Sequence, residues 1–121
     1  MTEREIQNRI RLALPTLGVT VFRANVGQSW TGDQAIHLAN GDVLIKNARP
    51  FISGVPPGFS DLFGLTSDGQ FVAIEVKAAN GRVSTKQSNF LQHIRANRGL
   101  AGVARSVEDA RKILLGGDNE I

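Results

Sequence analysis

Residues 71–77 run Phe71-Val72-Ala73-Ile74-Glu75-Val76-Lys77, a short apolar and β-branched stretch that ends in two charges. Such a run predicts a strand. With a side-chain period of two, Val72, Ile74 and Val76 share one face, and Phe71, Ala73, Glu75 and Lys77 share the other. Glu75 and Lys77 thus project side by side from an otherwise apolar element. Burying either charge unpaired costs on the order of several kcal/mol. Each must therefore be met by the other, by a third charge or by a metal.

The third charge lies upstream. Ser67-Asp68-Gly69 turns the chain back onto a predicted strand from Leu62 to Thr66, and Asp61 stands at its start. Two neighbouring antiparallel strands can bring Asp61 opposite the Glu75–Lys77 region. Paired carboxylates of this kind form a hard-oxygen site suited to Mg²⁺ or Mn²⁺. A metal there can activate water and screen the charge that builds on a phosphodiester, while Lys77 orients that water or stabilises the phosphate. The competing reading is a structural ion pair at a strand end, between Lys77 and either acid.

Outward from this hairpin the chain alternates helix and strand signals. Ile6, Ile10, Leu14 and Leu17 recur at helical spacing, Thr2 and Glu5 match a capping box, and Pro15 and Gly18 mark the end. Val19 to Phe22 predicts a strand. A looser stretch around Trp30, Gly32 and Asp33 precedes a tight hairpin, in which Ala35 to Ala39 and Val43 to Ala48 flank Asn40-Gly41. Pro50, Gly54, Pro56, Pro57 and Gly58 predict a loop. Downstream, Ser84 as N-cap with Gln87 as its box partner opens a helix to about Arg98. Leu100 to Ala104 is a short buried strand, and Ser106 caps a last helix with Glu108 and Asp109 near its start and Arg111 and Lys112 near its end. Residues 116–121 are expected to form a flexible tail. The order implies an α/β domain over residues 1–115, with a mixed central sheet flanked by helices.

Composition sets the bounds. At 121 residues, 41% of them hydrophobic, the chain suits one packed domain. It has no cysteine, which excludes disulfides and thiolate metal sites and fits a reducing, cytoplasmic setting. No apolar run approaches the roughly 18 residues of a membrane span. The net charge of +3 is compatible with a polyanionic partner.

Taken together, Gly58-Phe59-Ser60-Asp61, Ile74-Glu75-Val76-Lys77 and Ser84 to Gln87 resemble the PD-(D/E)XK nuclease superfamily, and more narrowly its virus-type replication-repair nuclease (VRR-NUC) domain. Arg23-Ala24-Asn25-Val26-Gly27 and Val103 to Ala110 also fit that layout, so the likeness covers roughly residues 3 to 115. The resemblance implies a divalent-metal DNA endonuclease with a restriction-endonuclease-like core around a four-stranded mixed sheet. Asp61 and Glu75 would be metal ligands, joined by the backbone carbonyl of Val76. Lys77 would be the catalytic lysine and Gln87 the glutamine supporting the site, although Gln87 is equally explained as the partner of Ser84. The superfamily's usual proline before the aspartate is Ser60 here. For the first-helix acid, Glu3 is favoured over Glu5, which capping already explains. Stand-alone domains of this size resemble phage-encoded enzymes that dimerise and act on branched DNA such as Holliday junctions, which implies a homodimer.

Other residues carry less. Arg23 and Asn25 are candidate DNA contacts from the family layout. Lys86, Arg95 and Arg98 could line a phosphate track or simply form a solvated helix face. Trp30 could stack on a base or cover a core edge. His37 and His93 have no partner at metal-ligand spacing and suit structural or solvated positions.

Overall fold

The computed structural model describes residues 1–24, 28–52, 54–117 and 119–121. In chain order they form α1 (Glu3–Ala13), β1 (Thr20–Arg23), β2 (Gln28–Thr31), β3 (Gln34–His37), β4 (Val43–Lys46), β5 (Arg49–Ile52), β6 (Leu62–Leu65), β7 (Phe71–Val76), α2 (Thr85–Ala96), β8 (Leu100–Ala104) and α3 (Val107–Leu114). Two compact units result, one from residues 1–24 with 56–121 and the other from residues 25–55.

The first unit is built on a four-stranded sheet of order β1-β6-β7-β8. β1 and β7 both run antiparallel to β6, while β8 runs parallel to β7. A parallel neighbour requires a long crossover, and α2 supplies it. This is the mixed α/β core that the sequence predicted.

The alternation along β7 divides the interior in two. Val72, Ile74 and Val76 are buried with Ile6, Ile10 and Leu14 from the first helical segment and Ala110 and Ile113 from α3. Ala73 is buried on the other side with Leu91 of α2 and Ala101 and Val103 of β8. Each fully buried Val, Leu or Ile contributes about 1.5–3 kcal/mol over an exposed one, so β7 is a well-anchored strand and a rigid mount for the charges at its end.

Local signals set the helix ends. Thr2 and Glu5 form the expected capping box on α1. After Ala13 the chain tightens into a 3-10 turn over Leu14–Leu17, because Pro15 has no N–H to continue an α-helix, and Gly18 closes it at φ 80°. The first α-helix is therefore shorter than its apolar spacing suggested. Gly64 on β6 has a steric role: a Cβ there would run into the Thr20 carbonyl of β1.

Residues 119–121, in the segment expected to form a tail, make contacts with β8 and α2. Glu120 O accepts the Val103 N–H at 2.8 Å, Asn119 O accepts from Arg95 at 3.1 Å, and Ile121 packs beside the Ala73–Leu91 cluster. The apolar Ile121 and the backbone of β8 give this segment something to bury and to bond, which composition alone did not reveal.

The second unit is a β-ribbon. β3 and β4 pair antiparallel as predicted, but five residues, 38–42, separate the last paired residues His37 and Val43, so the turn is wider than a two-residue loop. Asn40 shapes it by accepting the Asp42 N–H at 3.0 Å. Two strands escaped the sequence reading: β2 and β5 pair antiparallel, with Trp30 opposite Pro50. Gly32 and Asp33 looked like loop residues, and Pro50 like a strand breaker, yet a proline is tolerated where a two-stranded ribbon leaves its backbone N–H position unpaired.

Candidate active site

The site forms where β6 begins and β7 ends. Leu62 pairs with Ile74 across the antiparallel register, so the next residues outward, Asp61 and Glu75, are neighbours. Asp61 is fastened twice, through its side chain and through its backbone. Its Oδ2 accepts the Val76 N–H at 2.9 Å, and its carbonyl accepts the Ala24 N–H at 2.9 Å. Ser60, where the superfamily usually has proline, is fully buried and donates its hydroxyl to the Leu62 carbonyl at 2.8 Å. That bond stiffens the approach to Asp61 by another route than a fixed φ.

Glu75 is only 2% exposed. Its Oε1 accepts from Gln87 Nε2 at 3.0 Å and lies 3.8 Å from Lys77 Nζ. Its Oε2 is buried with no hydrogen-bond partner among the described residues. Burial, and then the adjacent Asp61 carboxyl, push the Glu75 pKa from 4.5 up to about 8, with Lys77 opposing the rise. Two carboxyl groups this close, one of them carrying a buried oxygen with no hydrogen-bond partner among the described residues, have the donor chemistry of a hard-cation site. The residues present fit a hard divalent metal.

Lys77 follows directly, its side chain mostly buried and its backbone N–H donated to Ala104 O at 3.1 Å. Gln87 makes two contacts through its amide. Its Oε1 accepts the Ser84 N–H at 2.9 Å to complete the capping box of α2, and the same amide's Nε2 reaches Glu75. Val76 lies between the two charged residues, with its N–H committed to Asp61.

The remaining sequence candidates lie as follows. Arg23 is exposed at the end of β1, paired with Leu62 and so one position from Asp61. Asn25 lies outside the described residues. Lys86 is exposed on the first turn of α2. Glu3 is exposed on the first turn of α1, and Glu5 accepts the Thr2 N–H at 3.0 Å. Among the described residues no group of three acidic, histidine or cysteine side chains gathers as a metal cluster. Arg95 is no part of a phosphate track, because its guanidinium donates to Ala101 O at 2.8 Å and to Asn119 O.

Sequence reasoning missed Arg105 and Glu120. Arg105 donates to the carbonyls of Ala78 and Ala79, just beyond Lys77, and grips Glu120 through two nitrogens. No local motif marks either residue; only the fold brings them together.

A family model described as the VRR-NUC domain matches residues 1–108 of the chain. Among curated proteins none matches.

Proposed function

The chain belongs to the VRR-NUC domain family, which implies a nuclease-type function on DNA, and on that premise we propose that it is a divalent-metal-dependent endonuclease selective for branched DNA. The observation that carries the metal dependence is the buried, partnerless Oε2 of Glu75 beside the Asp61 carboxyl. Asp61 and Glu75 would hold Mg²⁺ or Mn²⁺, with the Val76 carbonyl as a third oxygen. The bound cation lowers the pKa of water and screens negative charge on the phosphodiester.

The chain's own groups account for the rest. Lys77, held 3.8 Å from Glu75, presents a fixed ammonium that stabilises the phosphate as water adds to phosphorus and the P–O bond to the leaving oxygen breaks. Gln87 keeps Glu75 in one rotamer, so the acceptor geometry is set before substrate arrives. Arg23 and Lys86, both exposed in the same unit as the acids, are suited to phosphate contacts flanking the cut.

Charge is divided in a way that supports a homodimer. Between residues 25 and 55 the chain has Asp33 and Asp42 against Lys46 and Arg49, so the ribbon is neutral and the net +3 resides in the rest. The ribbon also leaves Trp30, Leu38, Val43, Leu44 and Phe51 exposed. A neutral surface rich in apolar side chains suits a protein partner better than a phosphate backbone. A second copy is the partner that would give so small a domain the reach to hold a junction.

The test is a cleavage panel of linear, flapped and four-way DNA with Mg²⁺ and Mn²⁺, run beside sedimentation. Metal-dependent cutting of four-way DNA by a dimer is expected, lost in Asp61→Asn and lowered by about 10²–10³-fold in Lys77→Ala. Variants that cut as well as the parent would sink the assignment.

A further inference from the structure

We propose that Arg105 and Glu120 are positioning residues that clamp the turn behind Lys77 and thereby fix its ammonium in the active site. The inference rests on the nuclease reading and deepens it.

The clamp is continuous from residue to residue. Glu120 takes two hydrogen bonds from Arg105, from Nε to Oε2 at 3.0 Å and from the guanidinium to Oε1 at 2.9 Å. The remaining guanidinium nitrogen donates to Ala78 O at 2.6 Å and to Ala79 O at 3.2 Å. Ala78 O also accepts the Gly81 N–H at 3.0 Å, closing the turn over residues 78–81. Gly81 then lies against the lysine: a Cβ built on it would stand 3.3 Å from both Cβ and Cδ of Lys77. The planar fork of arginine is what allows one side chain to bind a carboxylate and two carbonyls at once.

Glu120 itself is well placed to act as an anchor. Its carbonyl is bonded to β8 through Val103 N, and the adjacent Ile121 packs against the Ala73–Leu91 cluster. The segment after α3 therefore ties the active-site turn to β8. As a source of stability the pair is minor, because Glu120 is 48% exposed and exposed ion pairs contribute little. Its value is geometric. A lysine side chain has four rotors, and holding its Nζ near a buried carboxylate requires that the stem be packed.

The experiment uses the full chain and the variants Glu120→Gln, Glu120→Asp and Arg105→Lys, each alone and combined with Lys77→Ala. Hydrogen exchange should show the Gly81 amide exchanging about tenfold faster in Glu120→Gln and Arg105→Lys, with β7 and α2 unchanged. In cleavage of four-way DNA, kcat should fall about tenfold in the same variants while KM and the Mn²⁺ half-saturation stay within about twofold. Glu120→Asp should recover most of the rate. In the Lys77→Ala background Glu120→Gln should cause no further loss, which a merely structural role would not predict. Unchanged Gly81 exchange overturns the clamp whatever the activity. So does an undiminished kcat, or an equal loss with Lys77 absent. A parent chain that cleaves nothing defeats the nuclease reading itself, whereas an active parent with an equally active Glu120→Gln defeats the clamp alone.

Discussion

Replacing Glu75 by glutamine should make the metal-free protein more stable while removing its metal response. The unfolded chain carries this carboxyl near its ordinary value of 4.5, whereas burial and the Asp61 carboxyl raise it to about 8 in the fold. Between those values the native state binds one more proton than the unfolded state. Its contribution to stability is therefore fully present below pH 4.5 and is lost as the pH rises through 8. The loss amounts to a few kcal/mol at most by pH 7 and grows further as the pH passes 8. The Glu75→Gln variant would have no such slope. Its amide keeps the shape of the carboxyl and the Oε1 acceptor for Gln87, and it can donate toward Asp61 in place of the proton. In EDTA at pH 7 the variant should melt up to roughly 10 °C higher than the parent. The gap should widen at pH 8.5 and close near pH 4.5. Added Mn²⁺ should raise the parent's melting temperature and leave the variant nearly unmoved, since ligands that bind only the native state stabilise it by mass action. Thermal denaturation across that pH range, with and without metal, is the assay. A parent more stable than the variant in EDTA, or a gap independent of pH, would refute the argument that burial and Asp61 penalise ionisation of Glu75 in the fold.

Three further outcomes follow from individual contacts. Lys77→Ala should lower the rate of DNA cleavage by about 10²–10³-fold, the loss typical of one preorganised charge, with Mn²⁺ binding by calorimetry retained. Gln87→Ala removes both a cap partner and the hydrogen bond that α2 gives to Glu75; a loss of about 1 kcal/mol in urea unfolding should accompany a larger relative loss of activity. Gly58→Ala should cost more than about 3 kcal/mol or prevent folding, because this residue sits at φ 84° against the Lys86 carbonyl of α2, where a Cβ has no room; circular dichroism melts will show whether the loop before Asp61 tolerates it.

The core sheet and the central residues were legible because they are written locally. A β-branched apolar run, a turn at Asp68-Gly69 and a boxed Ser84 each fix one element with few neighbours involved. Asp61, Glu75 and Lys77 could be found because charge at the end of an apolar strand demands compensation. The β2–β5 ladder was not legible: Gly32 and Pro50 give loop signals, and only the pairing of Trp30 with Pro50 across the ribbon makes those segments strands. Glu3 was favoured because it lies on the apolar side of α1, but a position at a helix start can remain exposed when the buried stripe begins a turn later, at Ile6 and Gln7.

Gln87 shows why site and fold cannot be assigned to separate residues here. Its two amide atoms face different tasks, Oε1 closing the N-terminus of α2 and Nε2 reaching Glu75. Because the capping box sets the side chain's direction, the helix start and the position of the Glu75 carboxyl are fixed by the same rotamer. On the proposed metal-binding reading, Glu75 would have to escape a full ion pair in advance, and Lys77 at 3.8 Å with a neutral amide at 3.0 Å would leave it that freedom. Lys77 opposes, without cancelling, the rise that burial and Asp61 impose on the Glu75 carboxyl, whose one oxygen is held by Gln87 while the other has no hydrogen-bond partner among the described residues.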